Sequence, residues 1–139
     1  MNSISRRNFL RSASAVGAGV AFIPNFISCS SPSGKVNIAA IGAGGRGAHN
    51  INECATENIV ALCDVDENRA AGMFNKFPDA KRYSDFRKMF DEMGNEIDAV
   101  LISTPDHTHF AAAMAAMQLG KHVYVEKPLA HNIWQLRTL

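Results

Sequence analysis

Val36-Asn37-Ile38-Ala39-Ala40-Ile41-Gly42-Ala43-Gly44-Gly45-Arg46-Gly47 is the stretch that decides how this chain reads. Its first half is an apolar run broken only by Asn37, which suits a strand buried on both faces. Its second half is a Gly-x-Gly-x-x-Gly, and Ala48 to Ala55 beyond it has helical composition. Glycines at that spacing mean little alone; between a strand and a helix they describe a phosphate-binding turn. Gly42 permits the tight turn, Gly44 lets backbone approach a pyrophosphate, and Gly47 lets the helix pack close to the strand. The first N–H groups of the helix, at the positive end of its dipole, then face the phosphates. Gly45 belongs to the same loop. Arg46 reads as a further phosphate contact or as a base pointing to solvent, the contact being preferred.

Outward from this loop, strands and helices alternate. Ile59 to Cys63 is a second short apolar run, ended by Asp64. Glu67 to Phe77 carries Ala70, Ala71, Phe74 and Phe77 at helical spacing, and Lys81 to Tyr83 is a short third strand. Phe86, Met89, Phe90 and Met93 stand at i, i+3, i+4 and i+7 within Asp85 to Met93, an amphipathic helix. Asp98 to Ser103 is a fourth strand, His109 to Leu119 a helix closed by Gly120, and His122 to Glu126 a fifth strand. Asn132 caps a last helix. This alternation implies an α/β fold with a doubly wound parallel sheet. Cys54 and Cys63 read as small buried apolar residues, and three cysteines without a Cys-x-x-Cys make no disulfide framework.

In open α/β sheets ligands lie beyond the carboxyl ends of the strands. Asp64 ends the second strand about twenty residues after the glycines, where a carboxylate accepts hydrogen bonds from a ribose and repels a 2′-phosphate. That favours NAD over NADP. The competing role, capping the next helix, fits Asp66 better and leaves Asp64 for the ribose. Ser103-Thr104-Pro105-Asp106-His107-Thr108-His109 follows the fourth strand onto the same edge. His107 and His109 have no third ligand at recognisable spacing, so no metal site is read there. Asp106 or Thr108 could cap the following helix. Glu126-Lys127-Pro128 ends the fifth strand, and a lysine there can hydrogen-bond a substrate hydroxyl or help move its proton; read alone, Lys127 is more often a solvated loop residue.

Residues 1–34 read as an address and linker, with the domain in 35–139. Ser5-Arg6-Arg7-Asn8-Phe9-Leu10-Arg11, a weakly apolar stretch and a Ser-rich segment match a twin-arginine export signal, which is receptor-read and is not an anchor. That route carries folded proteins, which suits cargo that must load a nucleotide before export. Phe26-Ile27-Ser28-Cys29 is a loose lipobox, so Cys29 is a candidate lipid anchor; plain cleavage nearby is the alternative. The product is then periplasmic or membrane-tethered. Hydrophobic content of 47%, charged content of 19% and a net charge of +1 suit a globular protein without a nucleic-acid-binding stripe.

From Lys35 onward these motifs together resemble the Gfo/Idh/MocA family, which includes glucose–fructose oxidoreductase and inositol dehydrogenase. The resemblance rests on Gly42 to Gly47, Cys63-Asp64-Val65-Asp66, Thr104-Pro105 with His109, and Glu126-Lys127-Pro128. It implies a Rossmann domain whose glycine loop binds pyrophosphate and whose Asp64 binds the adenosine ribose. It implies that Thr104, Pro105 and His109 line the cofactor cleft. Lys127 is then the substrate-facing catalytic lysine, and Glu126 and Pro128 shape the nicotinamide site. Asp106 stands where many members have Asn, which leaves its contact open. The family also has a second, α+β substrate domain, which this sequence does not reach. By itself the chain is expected to bind NAD without turning substrate over. The implied whole is an NAD-dependent oxidoreductase, homo-oligomeric, acting on a sugar or polyol by hydride transfer. Two alternatives stand beside it: a glycosidase of the same family, working by oxidation, elimination, water addition and reduction, and a non-catalytic NAD-binding fragment.

Overall fold

The computed structural model describes residues 34–139; the expectations for the twin-arginine segment and Cys29 lie outside the described residues. In chain order the elements are β1 (Asn37–Ile41), α1 (Arg46–Glu53), β2 (Asn58–Cys63), α2 (Glu67–Lys76), β3 (Lys81–Tyr83), α3 (Phe86–Met93), β4 (Ala99–Ile102), α4 (Asp106–Gln118), β5 (His122–Val125) and α5 (Ile133–Thr138). The strands form one sheet in the order β3-β2-β1-β4-β5, and every pairing is parallel. The chain starts at the middle, winds outward through β3, then returns to build the other half. The strand order therefore reverses between β1 and β4, as a doubly wound sheet requires.

Side-chain alternation explains both faces. Ile38 and Ala40 of β1 point into a core with Ile51 of α1 and Ala70 and Phe74 of α2. Ala39 and Ile41 point the other way, toward Met89, Phe90 and Met93 of α3 and Ala112, Ala113 and Ala116 of α4. Successive residues of a strand face opposite sides, so a run apolar at every position is what a sheet covered on both faces needs. Ile51 and Leu62 are fully buried, and each such side chain contributes roughly 1.5–3 kcal/mol over its exposed state.

The strands also end level. Ile41 is in register with Cys63 and Ile102, Cys63 with Tyr83, and Ile102 with Val125. The turns that follow therefore open along one edge. Three helices take their caps as side chains: Asp66, Asp85 and Asn132 each accept a backbone N–H from the first turn. Two helices start earlier than composition suggests. α1 begins at Arg46, so Gly47 lies inside it, and α4 begins at Asp106 behind Pro105. Neither Asp106 nor Thr108 caps α4: Pro105 occupies that position without a side-chain cap. Cys63 is buried, but Cys54 is only partly covered, because it closes α1 at its exposed end.

Candidate functional site

The glycine loop is fixed by close backbone approach. Gly42 takes φ 86°, and a Cβ there would lie 2.8 Å from the Ser103 carbonyl carbon. Its N–H donates to the Cys63 carbonyl at 2.8 Å, tying the loop to the end of β2. A Cβ on Gly47 would lie 1.7 Å from the Gly42 carbonyl oxygen, so α1 rests directly on the turn. Gly44 is also needed for packing: its Cβ would meet the Arg69 side chain at 2.7 Å. Gly45 caps α1 without a side-chain bond, and the Gly47 N–H donates to the Gly44 carbonyl at 3.0 Å. No side chain takes the other N–H groups of the first turn, which can meet an anion at this partly exposed helix end.

These walls enclose a cavity of about 860 Å³ along the carboxyl edge. Of the residues singled out from sequence, Gly42, Gly44, Arg46, Asp64, Thr104 and Pro105 line it. Gly45, Gly47, Asp106, His109, Glu126, Lys127 and Pro128 do not. The turn between β3 and α3 supplies a stretch of wall that sequence reading missed, Ser84 to Arg87, and Arg69 supplies another. The sign was present: β3 is adjacent to β2, so its following turn must reach the edge where Asp64 lies. A three-residue strand gave too little pattern to place it.

Asp64 is engaged rather than free. One carboxylate oxygen accepts the Gly44 N–H at 2.9 Å, and the other accepts the Asp66 N–H at 3.0 Å. Asp66 is the cap of α2, accepting from Arg69 N. The carboxylate thus clasps the phosphate loop from the neighbouring strand. It is half-exposed, and each carboxylate oxygen has further lone pairs for a ribose hydroxyl.

The fifth-strand tripeptide is braced from two sides. Glu126 turns toward α1, where its Oε1 accepts from Arg46 Nε at 2.9 Å and from Asn50 Nδ2 at 2.9 Å. Those donors, Asn50 first and Arg46 second, hold its carboxyl down at about 2. Arg46, read as a phosphate contact, is therefore paired with Glu126 across the mouth, though its side chain stays 63% exposed. Asn50 also donates to Ser103 Oγ at 3.0 Å, linking α1, the β4 turn and the β5 end. It was not singled out from sequence. Its signal is a polar residue on the buried face of α1 beside Gly47 and Ile51.

His109 does not line the cleft. It is 1% exposed, below the floor of the edge, with Nδ1 2.8 Å from the Pro128 carbonyl and Nε2 2.7 Å from the Thr104 carbonyl. His107, two residues earlier, is the one that reaches the cavity. Asp106 accepts the His107 N–H at 2.8 Å and lies 3.5 Å from His131 Nδ1; the His107 amide, then His131, lowers its carboxyl below the ordinary range. Lys127 is exposed, and its Nζ has no hydrogen-bond or ion-pair partner among the described residues. The Lys127–Pro128 peptide is cis.

Comparison with known proteins agrees with this fold. Residues 36–139 match the family described as an oxidoreductase family with an NAD-binding Rossmann fold, and residues 3–22 match a twin-arginine translocation pathway signal sequence. The chain is 38% identical to inositol 2-dehydrogenase 2 of Saccharopolyspora erythraea over 68% of this chain and 29% of that protein. It is 36% identical to a glycosyl hydrolase family 109 protein of Solibacter usitatus over 98% of this chain and 36% of that one. The chain thus spans about a third of the length of these relatives. The WlbA dehydrogenase of Bordetella pertussis, solved with NADH and UDP-GlcNAcA, shares the fold at a TM-score of 0.66 and 23% identity, over 74% of this chain and 32% of that one.

Proposed function

The chain belongs to this oxidoreductase family with its NAD-binding Rossmann fold, and carries a signal for export across the cytoplasmic membrane; on that premise we propose that it is the nucleotide-binding part of an exported enzyme that oxidises or reduces a sugar or polyol with NAD. One arrangement carries the reading. The uncapped amino end of α1 opens on the cavity while Asp64, one strand away, grips the Gly44 amide. Pyrophosphate would meet the Gly45–Arg46 backbone there, and the adenosine ribose would lie against Asp64. A Gly44 buried against Arg69 and a cavity of about 860 Å³ fit an extended dinucleotide. When bound, the nicotinamide would supply the hydride acceptor or donor.

The chain's own residues do the rest. Thr104 and Pro105 form the wall nearest the sheet's point of reversal. Lys127 is the candidate catalytic residue: its ammonium is exposed on the same edge and can hydrogen-bond a substrate hydroxyl and take part in moving its proton. Glu126 and Pro128 act by holding Lys127 in place. In the full protein a second domain would supply the sugar pocket, and the whole would assemble as a homo-oligomer, in the periplasm or tethered there through Cys29.

The glycosidase reading has one specific support. The glycosyl hydrolase relative matches 98% of this chain, the exported N-terminal part included, whereas the inositol dehydrogenase matches 68%. A cofactor that is reduced and then reoxidised within one turnover also suits a compartment without free NAD. Two assays separate the readings. Free-sugar-dependent NADH formation supports the dehydrogenase; aglycone release from aryl glycosides without added NAD supports the glycosidase. Calorimetric titration of the chain with NAD tests the shared premise, and no saturable binding at millimolar NAD removes both.

A further inference from the structure

The β4–β5 ladder ends abruptly. Its last hydrogen bond runs from the Glu126 N–H to the Ile102 carbonyl at 2.9 Å. Two residues beyond Ile102 lies Thr104, and two beyond Glu126 lies Pro128. The ladder cannot continue through Pro128, which has no N–H to give. Two backbone carbonyls, Thr104 O and Pro128 O, are left facing the gap between the parting chains. Thr104 O lies just ahead of the α4 cap, where it takes no part in the helix's own bonding. The His109 ring fills this gap, 2.7 Å from one carbonyl and 2.8 Å from the other, at 1% exposure.

From this we propose that His109 is a positioning residue, a buried clamp that extends the β4–β5 ladder by one side-chain rung and so fixes Lys127–Pro128 against the Thr104–Pro105 wall. Carbonyl oxygens only accept, so a ring N–H of the buried imidazole donates to the carbonyl it faces. Contacts of 2.7 and 2.8 Å lie within the hydrogen-bond range. Backbone amides cannot serve here, and a lysine or arginine has no rigid five-membered frame to set the span between the chains. The ring comes from the first turn of α4, whose Thr108 also bonds Thr104 Oγ1 at 2.7 Å. The wall of the cavity is thus held by the helix that begins at it. This role rests on the NAD reading only in its consequence for binding; the bonds themselves do not require NAD.

Two measurements on the full chain test it. With histidine ring ¹⁵N labels and no NAD, a His109 ring N–H is expected to exchange slowly with solvent, as a buried hydrogen-bonded donor does. A His109 ring hydrogen that exchanges as fast as those of the exposed histidines overturns the buried clamp. The second is NAD titration of His109→Leu and His109→Gln. Losing the ring and its hydrogen bonding is expected to weaken NAD about tenfold. His109→Gln, whose amide NH₂ still reaches one carbonyl, is expected to recover part of that affinity. Folded variants that both bind NAD as the parent does refute the positioning role. If His109→Leu does not fold, the Gln variant and the ring signature still decide. If the parent itself binds no NAD, the functional reading fails while the ring signature stands or falls alone.

Discussion

Gly47→Ala adds one methyl group at the tightest point of the molecule. The new Cβ would lie 1.7 Å from the Gly42 carbonyl oxygen and 2.8 Å from its carbon, where real side chains stay beyond 3.0 Å. The carbonyl cannot retreat, because Gly42 is held at φ 86° and its N–H is bonded to Cys63. α1 must therefore move off β1 by about 1.3 Å, the shortfall from that 3.0 Å limit. Overpacking of this kind costs about 3 kcal/mol, and alanine returns about 1 kcal/mol of helix propensity. A net loss of about 2 kcal/mol lowers the melting temperature of a domain of this size by roughly 8–16 °C. The same movement withdraws the helix N-terminus from the phosphate position, so NAD affinity is expected to fall with stability. Thermal unfolding followed by circular dichroism and NAD calorimetry on the same samples read both. Gly72→Ala is the control. It lies on α2 with nothing within 4 Å of its Cβ, and is expected to stabilise by about 0.5–1 kcal/mol. If Gly47→Ala melts within about 2 °C of the parent, far inside the predicted shift, and binds NAD normally, the close-packing account of the loop is wrong.

Asp64→Ala is expected to weaken NAD about tenfold through the lost ribose and Gly44 bonds while changing NADP little. Asp64→Asn keeps an acceptor for the Gly44 amide and removes only the charge, so it should admit NADP; equal losses for both nucleotides would defeat the ribose assignment. Glu126, held at about 2 against an ordinary 4.5, contributes stability that is complete above the unfolded value and is lost as pH falls through the folded one. Urea midpoints of the parent and Glu126→Gln should therefore differ most above pH 4.5 and converge toward pH 2; a gap independent of pH would exclude the ion-pair origin. Burial, with Asp64 adding to it, pushes the Cys63 thiol up to about 12, so mass mapping after alkylation of the native chain at neutral pH should find Cys63 unmodified and Cys54 labelled. Labelling of Cys63 at the rate of Cys54 would contradict the packing of β2.

The strands, their parallel pairing and the glycine turn could be read from sequence because each rests on a local pattern. Apolar runs with no polar alternation imply a sheet covered on both faces, and Gly42 to Gly47 between such a run and a helix implies the turn. Asp66 as a cap was readable for the same reason, since its partner is three residues away. What escaped depends on contacts distant in sequence. Asn50 acts through Glu126, 76 positions on, and Asp64 clasps Gly44, 20 positions back. His109 was placed in the cleft by its motif, yet the geometry of α4 turns its ring under the floor toward Pro128. Helix starts were misjudged at Gly47 and Asp106 because propensity discounts glycine and proline neighbours, while packing decided both.

The same long-range contacts give Glu126-Lys127-Pro128 a physical sense that the motif alone lacks. Its first residue spends its carboxylate on Arg46 and Asn50, and its third gives its carbonyl to His109. Between them Lys127 alone keeps its functional group without a partner among the described residues. A group that handles a substrate proton needs its backbone held to a fraction of an ångström and its own donor uncommitted. Bracing both neighbours from different helices, α1 through Asn50 and α4 through His109, meets the first requirement, and leaving Nζ unpaired meets the second. If this division of labour is right, Lys127→Ala should leave NAD affinity and melting temperature close to the parent. Asn50→Ala should lower both, because it leaves Ser103 Oγ and Glu126 without their shared donor. The reverse pattern, a Lys127 that matters for folding and an Asn50 that does not, would place the structural role on the wrong residue and undo the assignment.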